Sequence, residues 1–104
     1  MDLIANLEKM LASGNDSASL RLALASRYLQ EGRPHDALEH AQIALTLDAD
    51  YSAAWKMLGK AQTEAGLTQE AIGTYRRGIA VAEQRGDRQA AKEMRVFLKR
   101  LEPE

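Results

Sequence analysis

Shifting this chain against itself by 34 residues brings matching residues into line, and that self-similarity restricts its possible folds more than any other feature. Leu24 falls on Leu58, Ala25 on Gly59, Gly32 on Gly66, Ala37 on Ala71, Leu38 on Ile72 and Ala44 on Gly78. A second shift sets Leu3, Ile4, Leu7, Met10 and Leu11 under Ala37, Leu38, Ala41, Ala44 and Leu45. The opening segment therefore reads as the second half of a repeat. Units of this size cannot bury an apolar face alone, so they stack, and both ends of a short stack need covers.

Each unit reads as two helices. In the first segment, residues 2–13, Leu3, Ile4, Leu7, Met10 and Leu11 share one helical face. Gly14 then marks a stop, and Asn15, Asp16 and Ser17 supply the next start. The second helix runs from Ala18 to Glu31 and the third from about Pro34 to Leu47, with Gly32 between them and Pro34 suited to a first helical turn. Asp50 is placed to cap a fourth helix over Tyr51 to Ala65, which Gly66 ends. A fifth opens at Thr68 or Gln69 and reaches Gln84; a sixth spans Arg88 to Leu101, carrying Ala91, Met94, Phe97, Leu98 and Leu101 as its apolar stripe. With 104 residues in all, one domain is expected. Its parts are a half-repeat helix (1–17), two full units (18–51 and 52–85) and a capping helix (86–104).

Charge and chemistry narrow the function by exclusion. The formal net charge is −1, so no global field favours nucleic acid. Residues 1–50 carry four basic and eight acidic side chains, and residues 51–104 ten basic and seven acidic, a mild polarity along the chain. There is no cysteine, hence no disulfide or thiolate metal site. His35 and His40 stand five apart, off a common helical face, and read as solvated polar residues. Glycines occur singly, not as a phosphate loop, and carboxylates such as Asp36, Glu39, Glu64 and Glu70 are scattered, so no catalytic site, metal or cofactor is expected. The opening residues do not resemble a secretory signal, and no apolar run approaches the roughly 20 residues that span a bilayer. A soluble cytoplasmic protein without a membrane partner is the expectation.

Between Ser52 and Arg85 the repeat is most complete. Trp55, Leu58 and Gly59 stand in W-x2-L-G spacing, and Ala71 and Tyr75 in A-x3-aromatic spacing. This pattern resembles the tetratricopeptide repeat family. The resemblance implies an all-α, right-handed α-α superhelix of about six antiparallel helices, with small residues such as Gly59, Ala25, Ala37 and Ala71 where two helices cross. There are departures: Gln62 replaces a usual aromatic, Ala49 and Glu83 a usual proline, Ala41 an aromatic, and Arg21 the tryptophan of the first unit. An RNA-reading helical repeat of the pentatricopeptide type has a period one residue longer and would want a more basic face.

The same resemblance implies a non-enzymatic interaction adaptor or scaffold that holds a partner's peptide or helix in a concave groove. Carried over by alignment, Leu22, Ser26 and Leu29 of the first unit and Lys56, Met57, Lys60 and Thr63 of the second would line it. Arg95 and Lys99 of the last helix would join them if Met94, Phe97 and Leu101 pack on the fifth helix. Lys56, Lys60, Arg95 and Lys99 would then form a basic strip for an acidic or carboxylate-ended peptide. The set by which some family members clamp a chaperone's terminal carboxylate is not reproduced, because Leu22, Ser26 and Met57 occupy those positions. The alternative role is a structural subunit that dimerises or packs through its terminal helices.

Overall fold

A computed structural model describes residues 2–103 and contains six helices: α1 (Leu3–Ala12), α2 (Ala18–Gln30), α3 (Pro34–Leu47), α4 (Ser52–Glu64), α5 (Thr68–Arg85) and α6 (Arg88–Leu101). Their ends follow local chemistry. Asp2 accepts from the Ile4 N–H at 3.0 Å and Ser17 from the Leu20 N–H at 3.1 Å, each satisfying a donor that the first turn leaves open. Gly32 and Gly66 take left-handed φ angles of 74° and 81°, which a side chain would strain, and so turn the chain between the helices of each pair.

One expected cap is absent. Asp50 makes no side-chain bond to α4; instead its own N–H donates to Asp48 Oδ1 at 3.1 Å, and Tyr51 stands at the helix entry. The carboxylate that organises this turn lies two residues earlier than the sequence suggested.

Consecutive helices pack antiparallel, and α2, α4 and α6 also lie side by side, whereas the backbones of α1, α3 and α5 stay apart. The result is a curved double layer measuring 45 × 28 × 19 Å, with α2, α4 and α6 on the inner face and α1, α3 and α5 outside. Two cores fill it. The first gathers Ile4, Leu24, Tyr28, Ala37, Ala41 and Leu58; the second gathers Trp55, Tyr75, Ala82, Ala91 and Met94. Trp55 thus belongs to the later core and Leu58 to the earlier, which joins the two helix pairs through a single turn of α4. The indole N–H donates to the Ala49 carbonyl at 2.8 Å, so burying Trp55 leaves no polar atom unpaired.

Glycine makes the closest crossings. A methyl added at Gly59 would stand 2.3 Å from a Tyr75 ring carbon, and one at Gly78 would stand 2.7 Å from the Met94 sulfur and 2.8 Å from Trp55 Cβ. Gly59 was expected at a crossing, although its neighbour is the Tyr75 ring rather than Ala71. Gly78 is where α4, α5 and α6 converge. Among the described residues no helix is long and apolar enough to cross a membrane.

Candidate functional site

The inner face carries two recesses that meet at Lys60 and Glu64. Between α2 and α4, Ser26, Leu29, Gln30 and Met57 line a hollow of about 220 Å³ with those two residues. On their far side, Thr63, Tyr75, Phe97, Arg100 and Leu101 complete a cup of about 200 Å³ toward α6. Five sequence-derived positions, Ser26, Leu29, Met57, Lys60 and Thr63, therefore line these two adjoining recesses. Leu22 is half-buried on α2 but lines neither recess.

The expected basic strip does not form as drawn. Lys56 Nζ donates to Glu93 Oε1 at 2.8 Å, and this hydrogen bond holds the Glu93 carboxyl below its ordinary pKa. Lys56 is thus already paired, across the groove, with the helix that was to supply more positive charge. Arg95 pairs with Glu83 of α5 on the other side of α6, and Lys99 is exposed. The reason is the rotation of α6. Met94 is fully buried, with Leu98 and Leu101 packed on the second core, so successive steps of 100° bring Glu93, Phe97 and Arg100 to the α4 side and send Lys92, Arg95 and Lys99 outward.

The charged groups left at the groove are Lys60 and Glu64, which both recesses share, and Arg100, with the Phe97 ring beside the two cations. Lys60 Nζ and Arg100 Cζ lie 5.9 and 5.8 Å from the Phe97 centroid, and neither cation forms an ion pair with a described residue. Tyr75 forms the floor, 1% exposed, and burial pushes its hydroxyl up to about 12, so it stays protonated throughout the physiological range. Thr63, which lines the cup, donates its hydroxyl to the Gly59 carbonyl at 2.8 Å. Tyr75, Phe97, Arg100 and Leu101 were read from sequence as repeat or cap positions, not as groove residues. The signal available was the spacing 93, 97, 100, which lies on one helical face.

The histidines also divide. His35 is exposed, as expected, but His40 is not solvated: its side chain is 14% exposed and its ring lies parallel to Tyr28 at 5.5 Å. Arg21 approaches His40 Nδ1 at 3.1 Å, and Glu8 of α1 lies 3.5 Å from Nε2, an arrangement suited to the neutral ring with its proton on Nε2. Burial lowers the pKa of His40, opposed by the negative charge of Glu8. This cluster ties α1 to α2 and α3, and no three His, Asp or Glu side chains among the described residues converge as a metal site.

Comparison with known proteins places this geometry. The tetratricopeptide repeat model matches residues 18–61. A TPR repeat-containing protein of Pseudomonas aeruginosa is 47% identical over 100 residues, spanning 96% of this chain and 95% of that one. A Bordetella parapertussis protein solved in solution is 40% identical with a TM-score of 0.86, covering 97% of this chain and 88% of that one. The second TPR domain of the human RPAP3 protein, determined in complex with the HSP70 peptide SGPTIEEVD, is 25% identical with a TM-score of 0.79, covering 97% of this chain and 79% of that one. The six helices are accordingly a right-handed α-α superhelix.

Proposed function

Because the chain belongs to the tetratricopeptide repeat family, we propose that it is a non-enzymatic, cytoplasmic protein-interaction module, one domain acting as an adaptor or scaffold that holds a partner's peptide or helix in its inner groove. Proteins of this family are generally interaction modules rather than enzymes. The observation that carries the reading is the pair of adjoining recesses, one at Leu29 and Met57 and one at Phe97, that share Lys60. Apolar surface there supplies contact, and Lys60 with Arg100 supplies positive charge that favours an acidic segment. The human RPAP3 domain, whose bound peptide contains two glutamates and an aspartate, supports the same ligand chemistry.

Ser26, Leu29, Met57, Lys60 and Thr63 are the contact positions in this reading, with Arg100 in the place first given to Arg95 and Lys99. Affinity capture from the native cell extract tests it, using the wild type and a Met57→Arg, Lys60→Glu double variant. A partner held by the wild type and lost by the variant is the expected result; a partner held equally by both overturns the groove as the binding face.

One observation favours a second reading, a structural subunit that pairs through its ends. Leu3 and Met10 of α1 are 44% and 48% exposed, on the face where a complete repeat would carry another helix. Sedimentation over a dilution series distinguishes the two: a dimer that resists dilution and is abolished by Leu3→Glu with Met10→Glu supports the structural role.

A further inference from the structure

The outer face carries a larger recess, about 550 Å³, between α3 and α5 and behind the inner groove. Its floor is α4, through Trp55, Leu58 and Gln62. It coincides with two departures from the repeat pattern: Gln62 stands where an aromatic is usual and Ala49 where proline is usual, and both line the recess. Gly73 leaves the α5 wall low as well, since a methyl added there would meet no atom within 4 Å.

This hollow is equipped for hydrogen bonding, and its charge is directional. Gln62 is only 6% exposed, and its Oε1 accepts from Thr74 Oγ1 at 2.6 Å. Gln42 and Gln69 add amides from the two walls. Side-chain amides complement the alternating N–H and C=O groups of an extended backbone. At one end lies Glu70 and at the other Arg77, whose guanidinium sits 5.2 Å from the Trp55 ring centroid. Neither enters an ion pair with a described residue. Seven residues apart on α5, they are separated by about 10 Å along the helix axis. An extended peptide of polyproline II geometry, with three residues per turn, covers about 9 Å in three residues and returns its side chains to the same edge there, whereas a β-strand would turn them to opposite faces.

We infer that the outer recess is a second peptide site, which takes an extended segment of a protein partner carrying a basic and an acidic residue about three positions apart. The basic residue pairs with Glu70 and the acidic one with Arg77, and an apolar side chain between them rests on Trp55 and Leu58. The site is independent of the inner groove: a partner spanning both faces would be held at two separate surfaces of the same double layer.

Trp55 is the only tryptophan in the chain, so its emission reports on this recess. The probes are acetyl-Gly-Lys-Ser-Leu-Asp-Gly-amide and two controls in which both charged positions are Lys or both are Asp. The mixed-charge peptide is expected to change the emission saturably, with the like-charged peptides at least tenfold weaker. Arg77→Glu should reverse the order, making the two-lysine peptide the tightest. Gly73→Leu places a side chain in open space inside the recess and should weaken the mixed-charge peptide at least tenfold while leaving the helical circular dichroism unchanged. The inner-groove variant Met57→Arg, Lys60→Glu should bind the peptide as the wild type does, which separates this site from the one proposed above. Equal affinity for all three peptides, undiminished binding by Gly73→Leu, or no saturable change up to millimolar peptide overturns the inference.

Discussion

Between α2 and α3 the helices meet through alanines, with Ala25, Ala37, Ala41 and Ala44 all fully buried, whereas between α4 and α5 glycine backbone meets the ring of Tyr75. The two pairs reach the same topology under different constraints. Alanine is the best helix former, so the first pair keeps its helical propensity and depends for its position on side chains at the edge, among them Glu8, Arg21 and His40. Glycine costs the second pair about 1 kcal/mol of propensity at each such position, but it lets the Tyr75 ring lie buried on the backbone. One interface is cheap to form and held by polar contacts; the other is tight and has no room for an added atom.

Three substitutions sharpen or break this contrast. Trp55→Ala should have the largest effect, about 3–5 kcal/mol by chemical denaturation, because it empties the second core and the single turn that joins it to the first. A loss under 1 kcal/mol would mean that the pairs are energetically separate. Next come two glycines of α5 and α4 compared: Gly59→Ala should cost roughly 1–3 kcal/mol by driving a methyl into Tyr75, while Gly73→Ala, facing open space, should stabilise by roughly 0.5–1 kcal/mol through helix propensity. If both substitutions have the same sign, the tight contact at Gly59 is not what distinguishes the second pair.

The smallest effect concerns pH and belongs to the first pair alone. His40 has a folded pKa below its ordinary value of 6.5, so the unfolded chain binds its proton more readily. Its contribution is therefore complete above about pH 6.5 and is lost as pH falls from there toward the lowered folded value. His40→Gln should flatten the stability profile in that window, with the change confined to amide signals of α1, α2 and α3. A profile identical to that of the wild type would remove His40 from the forces that position the first pair.

Much of this fold is legible in the residues because repeated small side chains and single glycines carry local information: Gly32 and Gly66 end helices, Ser17 starts one, and the repeat offset orders them. What was not legible depends on rotation and on partners distant in sequence. The apolar stripe of α6 is broad enough to be turned either way, and only its seating through Met94 and Leu98 decides that Phe97 and Arg100, not Arg95 and Lys99, reach the groove. Lys56 looks free until Glu93, 37 residues later, is brought beside it. Gln62 likewise reads as a flaw in a motif until Thr74 supplies its partner from the next helix. His40 reads as polar surface because nothing local announces that Tyr28 will lie flat against it.

The meeting of Gly78 with both Met94 and Trp55 bears on how the molecule comes apart. Because α6 rests on the backbone of α5 at the point where α4 also touches it, releasing α6 would unseat Trp55 and expose the floor of the second core at once. The last three helices should therefore open together, as one cooperative unit in hydrogen exchange. Among the described residues no helix lies on the far side of α1, which packs along α2, shares the first core with α3 through Ile4 and reaches His40 through Glu8. Its amides should exchange earliest, so that thermal agitation erodes the array from its amino end and not from its cap.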